Sequence, residues 1–129
     1  MASIFTKIIQ GDIPAHKLAE NERFLAFLDV SPVQRGHALV IPKEEIDYLF
    51  GLPDDMLGDL FVFAKPVARA IEKVVSCERI GVAVVGLEVP HAHVHLIPIN
   101  GIADMDFSRK KSMSNEELAA LAEEIRNQL

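Results

Sequence analysis

The apolar positions of this chain fall into two periods. Phe24-Leu25-Ala26-Phe27-Leu28 is an unbroken apolar run of strand length, the pattern of a strand buried on both faces. His37 to Ile41 returns as a strand, stopped by Pro42, and the turn-forming segment Ser31-Pro32-Val33-Gln34-Arg35-Gly36 between them predicts an antiparallel pair. Leu57, Leu60, Phe61, Ala64, Ala68, Ile71 and Val75 recur instead at helical spacing. They predict a long helix capped by Asp54 or Asp55 and kinked at Pro66, with Phe61 and Phe63 in the core. Valine-rich Arg79 to Val85 predicts another strand, Gly86-Leu87-Glu88 a turn, and Val89 to Ile99 a further strand. Ser114-Asn115-Glu116-Glu117 is a capping box that opens a final helix through Leu129. Shorter elements complete the reading: a helical turn from Ile4 to Ile9 ended by Gly11, a short strand at Leu18-Ala19, and a helix or turn from Glu44 to Phe50. Residues 102–113 look irregular. Clustered strands flanked by helices predict an α+β fold. Its core is an antiparallel sheet of about five strands, with the long kinked helix and the C-terminal helix 114–129 packed on it.

Length and composition narrow this picture. The 129 residues suit one domain, 1–129, and half of them are hydrophobic, so a core is available. A net charge of −6 argues against a nucleic-acid surface, and Arg109-Lys110-Lys111 reads as a solvated turn. No apolar stretch approaches the ~20 residues that span a bilayer, so no membrane partner is expected. The single cysteine, Cys77, excludes an internal disulfide and fits a cytoplasmic setting.

The chemistry concentrates in His91-Ala92-His93-Val94-His95. Three of the five histidines alternate with apolar residues, so on a strand the imidazoles share one face while Ala92, Val94 and Leu96 share the other. One strand histidine is usually structural; three in register are not readily accidental. Zinc is one reading, since His-x-His can present two nitrogens to one ion. At ~3.3 Å rise per residue, however, His91 and His95 lie ~13 Å apart, too far to converge on one ion from a straight strand. Nucleophilic catalysis is the other reading. A neutral imidazole attacks phosphorus while its neighbours donate hydrogen bonds to the phosphoryl oxygens.

At this point the residues carry a resemblance. His91-Ala92-His93-Val94-His95-Leu96-Ile97 resembles the His-x-His-x-His-x-x signature, with apolar x, of the histidine triad (HIT) nucleotide-binding superfamily. Ile4-Phe5-Thr6-Lys7-Ile8-Ile9 with Ile13-Pro14 resembles the opening of that family, and Phe24 to Pro42 its second block. The resemblance covers about residues 3–99, in order.

The resemblance implies a HIT-like fold, a homodimer and a purine nucleotide as ligand. It makes His93 the nucleophile, with His91 and His95 orienting it or binding phosphate oxygens, and places His37 near the phosphate. Asp29 matches the ribose-binding acid, and Ile4, Phe5, Ile8, Phe27, Val30 and Leu39 match the base pocket. Read singly, His37 is a strand-edge histidine, Asp29 a loop cap, and the six apolar residues are core; His16, outside any motif, reads as solvated. The pattern also departs from the family. Ser3 and Thr6 stand where many members carry the Cys-x-x-Cys of a zinc site, and the segment Ile80 to Pro90 is compact, with Leu87 in place of a usual glutamine.

The expected function is a purine nucleotide phosphoramidase or nucleotidyl hydrolase acting at the α-phosphate through a nucleotidyl-His93 intermediate, with no metal or cofactor. The alternatives are a dinucleoside polyphosphate hydrolase and a nucleotide-binding regulatory protein with little turnover. His95 stands where the transferase branch has glutamine, which favours hydrolysis. No lysine or arginine lies between Arg79 and Arg109, so the histidine stretch suits an amine leaving group better than a polyphosphate. Lys7 and Lys43 are the cations that other segments could bring.

Overall fold

The doubly buried strand is the middle of the structure. In the computed structural model, which describes residues 2–129, all five residues of Phe24–Leu28 are buried. The elements are α1 (Ile4–Ile9), β1 (Lys17–Glu20), β2 (Phe24–Leu28), β3 (Ala38–Pro42), α2 (Asp54–Val74), β4 (Arg79–Ala83), β5 (Val94–Ile99) and α3 (Asn115–Arg126). The sheet order is β1-β2-β3-β5-β4, antiparallel at every pairing. β2 and β3 form the expected pair, from Phe24 opposite Pro42 to Leu28 opposite Ala38.

Strand alternation divides the core in two. On the back, Ala26, Leu28, Ala38, Val40, Ala92, Val94 and Leu96 meet Leu60, Ala64, Val67 and Ile71 of α2 and Leu118, Leu121 and Ile125 of α3. On the front, Leu25, Phe27, Leu39 and Ile41 meet Phe5 and Ile8 of α1 in a smaller cluster. His95 pairs with Leu39 across the β3–β5 ladder, which sets it on the front while Val94 and Leu96 enter the back core.

Four local expectations are corrected. The histidine strand begins at Val94, not Val89. Pro90 has no N–H, and the His91 and Ala92 amides donate to Val89 and to Ile46 instead of a strand ladder. Pro53, not an aspartate, is the N-cap of α2; Asp54 and Asp55 sit in its first turn, where negative charge suits the helix dipole. Phe61 is exposed, whereas Phe63 packs on Phe24 with ring centroids 5.6 Å apart. His16 is not simply solvated: its Nε2 lies 2.8 Å from Asn115 Oδ1 at the start of α3. Pro66 lies inside α2 on its exposed side, and the helix runs on to Val74.

Two further features bear on the site. The Ser114 capping box opens α3 as expected. Gly36, at φ +93°, closes the loop before His37, and a Cβ there would stand 3.0 Å from both Pro98 Cγ and Val75 Cγ2. No helix among the described residues is long and apolar enough to cross a membrane.

Candidate active site

Hydrogen bonds assign a tautomer to each buried histidine. His91 is fully buried, and its Nε2 lies 2.7 Å from the Pro42 carbonyl oxygen. A carbonyl only accepts, so Nε2 carries the proton and Nδ1 the lone pair. The Ser3 hydroxyl, 2.8 Å away, donates to that Nδ1. Burial lowers the His91 pKa and keeps the ring neutral, although Pro42 and Glu45 pull the other way.

The same logic governs the other rings. His93 Nδ1 lies 2.7 Å from the His91 carbonyl oxygen and must donate to it. That leaves Nε2 as the lone-pair nitrogen of a ring that lines the cleft. The Val33 amide donates to His37 Nδ1 at 3.1 Å, so neutral His37 carries its proton on Nε2. That proton is donated to His95 Nδ1, 2.9 Å away, which puts the proton of His95 on its own Nε2. Burial, aided by Lys110 at His37 and by His37 at His95, lowers both pKa values to about 4. The 3.7 Å approach of Asp29 Oδ2 to His37 Nε2 is therefore not an ion pair. A lone pair on His93 beside an N–H on His95, rings 5.0 Å apart, can attack phosphorus and steady the oxygen charge that develops.

A cleft of about 270 Å³ opens over these rings. Ile4, Phe5 and Leu39 line it with Asp29, His37, His93 and His95. Ile8 and Phe27 do not reach it; they lie in the front cluster. Val30 is exposed away from it. His91 is also off the cleft wall. Asp29 Oδ1 accepts from the Ser31 amide at 2.8 Å, and burial raises its pKa.

The sequence reading missed Ser31, Val33, Val85 to Val89, Phe107 and Lys110 on the cleft wall. Phe107 stands edge-on to His95 at 4.7 Å. Lys110, read as part of a solvated turn, is the cation at the cleft; Lys43 pairs with Glu20 at 2.8 Å, and Lys7 is elsewhere. The available signal was a lone aromatic beside a basic triple in a stretch with no periodicity.

The sequence profile of the HIT domain matches residues 10–101, well over half of the chain. The chain belongs to the HIT domain family. An adenosine 5'-monophosphoramidase of Schizosaccharomyces pombe is 38% identical, aligned over 100% of this chain and 99% of its own length. A Hit-like protein involved in cell-cycle regulation from Bartonella henselae superposes with a TM-score of 0.86 at 28% identity, covering 98% of this chain and 96% of its own. A Zn-bound histidine triad family protein from Mycobacterium smegmatis gives a TM-score of 0.84 at 27% identity, covering 99% and 93%.

In this HIT domain the positions expected to carry a zinc-binding Cys-x-x-Cys do not fit zinc. Ser3 and Thr6 offer hydroxyls where zinc takes thiolates, and Ser3 Oγ already accepts from the Thr6 amide at 3.0 Å. Asp29, His37 and His95 each bring one ligand atom within 4.8 Å of the others, but His37 Nε2 and His95 Nδ1 already share a proton and His37 Nδ1 accepts from the Val33 amide.

Proposed function

We propose that this HIT protein is a purine nucleotide phosphoramidase working through a nucleotidyl-His93 intermediate. The carrying observation is the 2.7 Å bond from His93 Nδ1 to the His91 carbonyl, which leaves Nε2 as the nucleophilic nitrogen at the cleft. The Schizosaccharomyces pombe relative, matched over its full length, supports the P–N bond as the target.

His93 Nε2 forms a bond to the α-phosphorus, and the P–N bond to the leaving group breaks. The leaving nitrogen takes up one proton from solvent in the cleft and departs as an amine. Water then bonds to phosphorus as His93 leaves, and releases the proton that balances the first. The His95 Nε2–H donates to a phosphoryl oxygen in both displacements. His91 orients rather than binds phosphate, because both its ring nitrogens are engaged. Asp29 takes the ribose hydroxyls with Oδ2, and Ile4, Phe5 and Leu39 face the base. No metal takes part. Intact-mass spectrometry of enzyme quenched during turnover, with chelator present, should show a nucleotidyl adduct on His93. An adduct that needs added zinc, or one on another residue, would sink the scheme.

The second class, dinucleoside polyphosphate hydrolysis, is favoured by one observation: Lys110 supplies a cation that the histidine stretch lacks. One ammonium meets only part of the charge on a polyphosphate leaving group, so P–N substrates remain the better ones. We further propose that the whole chain acts as one domain and that it pairs as a homodimer. Exposed Val82 on edge strand β4, with Val84 and Val85 just after it and Phe50 lining the same hollow as those two, supports an apolar contact. Sedimentation equilibrium tests the dimer, and a monomer mass overturns it. The lone Cys77 suits a reducing compartment such as the cytoplasm.

A further inference from the structure

One carboxylate off the cleft wall ends in the same hydrogen-bond chain as the nucleophile. Glu45 is exposed, yet its Oε1 accepts from the Ser3 amide at 2.6 Å and from the Thr6 hydroxyl at 2.7 Å. Those donors, the Ser3 amide foremost, pull its carboxyl far below the ordinary value. With the Thr6 hydroxyl committed to Glu45, its 3.4 Å approach to His91 Nδ1 is not the donating contact. That leaves Ser3, whose oxygen accepts from the Thr6 amide and whose proton goes to His91 Nδ1 at 2.8 Å.

The next residue completes the grip. The carbonyl of Ile46 accepts from the Ala92 amide at 2.7 Å, so Glu45 and Ile46 hold the ring and the backbone of the histidine segment at once. The His91 carbonyl, fixed by these contacts, receives the Nδ1 proton of His93. Ser3 is also the N-cap of α1, whose Phe5 stands edge-on to His93 at 5.0 Å.

We propose that Glu45, Ser3 and Thr6 are positioning residues, a clasp of hydrogen bonds that sets the orientation and tautomer of His93 through His91. It stands where many members of the family carry a zinc-binding Cys-x-x-Cys and where the donor atoms of this chain do not suit a metal. None of the three touches the cleft chemistry. The proposal rests on His93 as the reacting group, but its first test needs no substrate.

Long-range ¹H–¹⁵N spectra of the histidine rings should show a single Nδ1–H tautomer for His93 in the wild type. Glu45→Ala should shift the His91 and His93 ring nitrogens and populate the second tautomer of His93. It should also lower kcat for an adenosine phosphoramidate about tenfold, with KM nearly unchanged, as misplacement of a reacting group does. Glu45→Gln keeps an oxygen that can accept both donors and should restore the spectrum and most of kcat. Ser3→Ala should reproduce the Glu45→Ala spectrum; if that variant fails to fold, the surface substitution decides alone. Ring resonances that stay put in Glu45→Ala overturn the clasp whatever its melting temperature does. So does an unchanged kcat when they move. A wild type with the expected spectrum but no phosphoramidate turnover would fault the proposed reaction and leave the clasp to be judged on the rings.

Discussion

His91 and His95 stand the same distance along the chain from His93, yet they live in different surroundings. His91 has both nitrogens engaged, by Pro42 and Ser3, and sees no cleft. His95 spends one nitrogen on His37 and keeps an N–H for the cleft. The first is a bracket and the second a hand. The difference arises because β5 begins only at Val94: all three rings keep the front side, but His91 stands before the strand, where the Pro42 carbonyl and the Ser3 hydroxyl close over its ring. Equal spacing in a motif therefore does not assign equal work; the partner of the second ring nitrogen does.

The largest test removes the residue both sides serve. His93→Ala should lower turnover by ~10³-fold or more while nucleotide binding, measured by calorimetry, persists. Comparable turnover would remove the nucleophile assignment and with it the comparison. The flanks should then separate. His95→Ala should cost ~10²-fold in kcat, as loss of one donor to a developing oxyanion does, with a smaller Tm loss than at His91, because the His37 Nε2–H it releases still faces Asp29 Oδ2 3.7 Å away. His91→Ala orphans the buried Pro42 carbonyl and the Ser3 hydroxyl and should lower Tm by roughly 5–10 °C, from about 2 kcal/mol. Equal Tm losses for the two would contradict the division of roles.

Proton uptake sharpens the same contrast. The His37 and His95 pKa values are depressed from 6.5 to about 4 in the folded protein, so between those values the unfolded chain binds protons that the folded one refuses. Their contribution to stability is complete above pH 6.5 and is lost as pH falls toward 4. Tm should be level above that window and drop within it, and His37→Gln should flatten the drop. A smaller effect is expected at Asp29. Asp29→Ala should weaken ribonucleotides ~10-fold and 2′-deoxynucleotides less, from loss of one or two hydrogen bonds to a charged group. Equal losses in a competition assay would make Asp29 a loop residue only. Smallest is Lys110→Met. Adenosine phosphoramidates should exceed diadenosine polyphosphates in kcat/KM by more than ~10-fold in the wild type, and the substitution should widen that gap about threefold by removing the cation that a polyphosphate leaving group would meet. A narrowed gap would mean that Lys110 serves a part of the nucleotide common to both substrates.

Much of this was legible in the order of residues. The unbroken run at Phe24 to Leu28 marked the centre of the sheet, and alternation assigned Ala92, Val94 and Leu96 to the back. Periodicity reports faces, however, and not the path of loops. It could not show that Pro90 and the Ala92–Ile46 bond delay the strand, nor that Ile8 and Phe27 lie beneath the cleft while Phe107 and Lys110 reach it. Ser3 and Glu45 are 42 residues apart, and no local pattern couples them.

Gly36 has a consequence for tuning the site without touching any titrating group. The loop from Ser31 closes at this residue against the end of α2 and against β5, with room for a hydrogen and none for a methyl. A side chain there would act as a shim between Val75 and Pro98. The part of the loop it would lift carries His37, whose ring fixes the proton on His95. Thickness at one backbone position thus bears on how closely two imidazoles meet, and an alanine at Gly36, crowded there and strained at φ +93°, would loosen the His37–His95 contact without altering either ring.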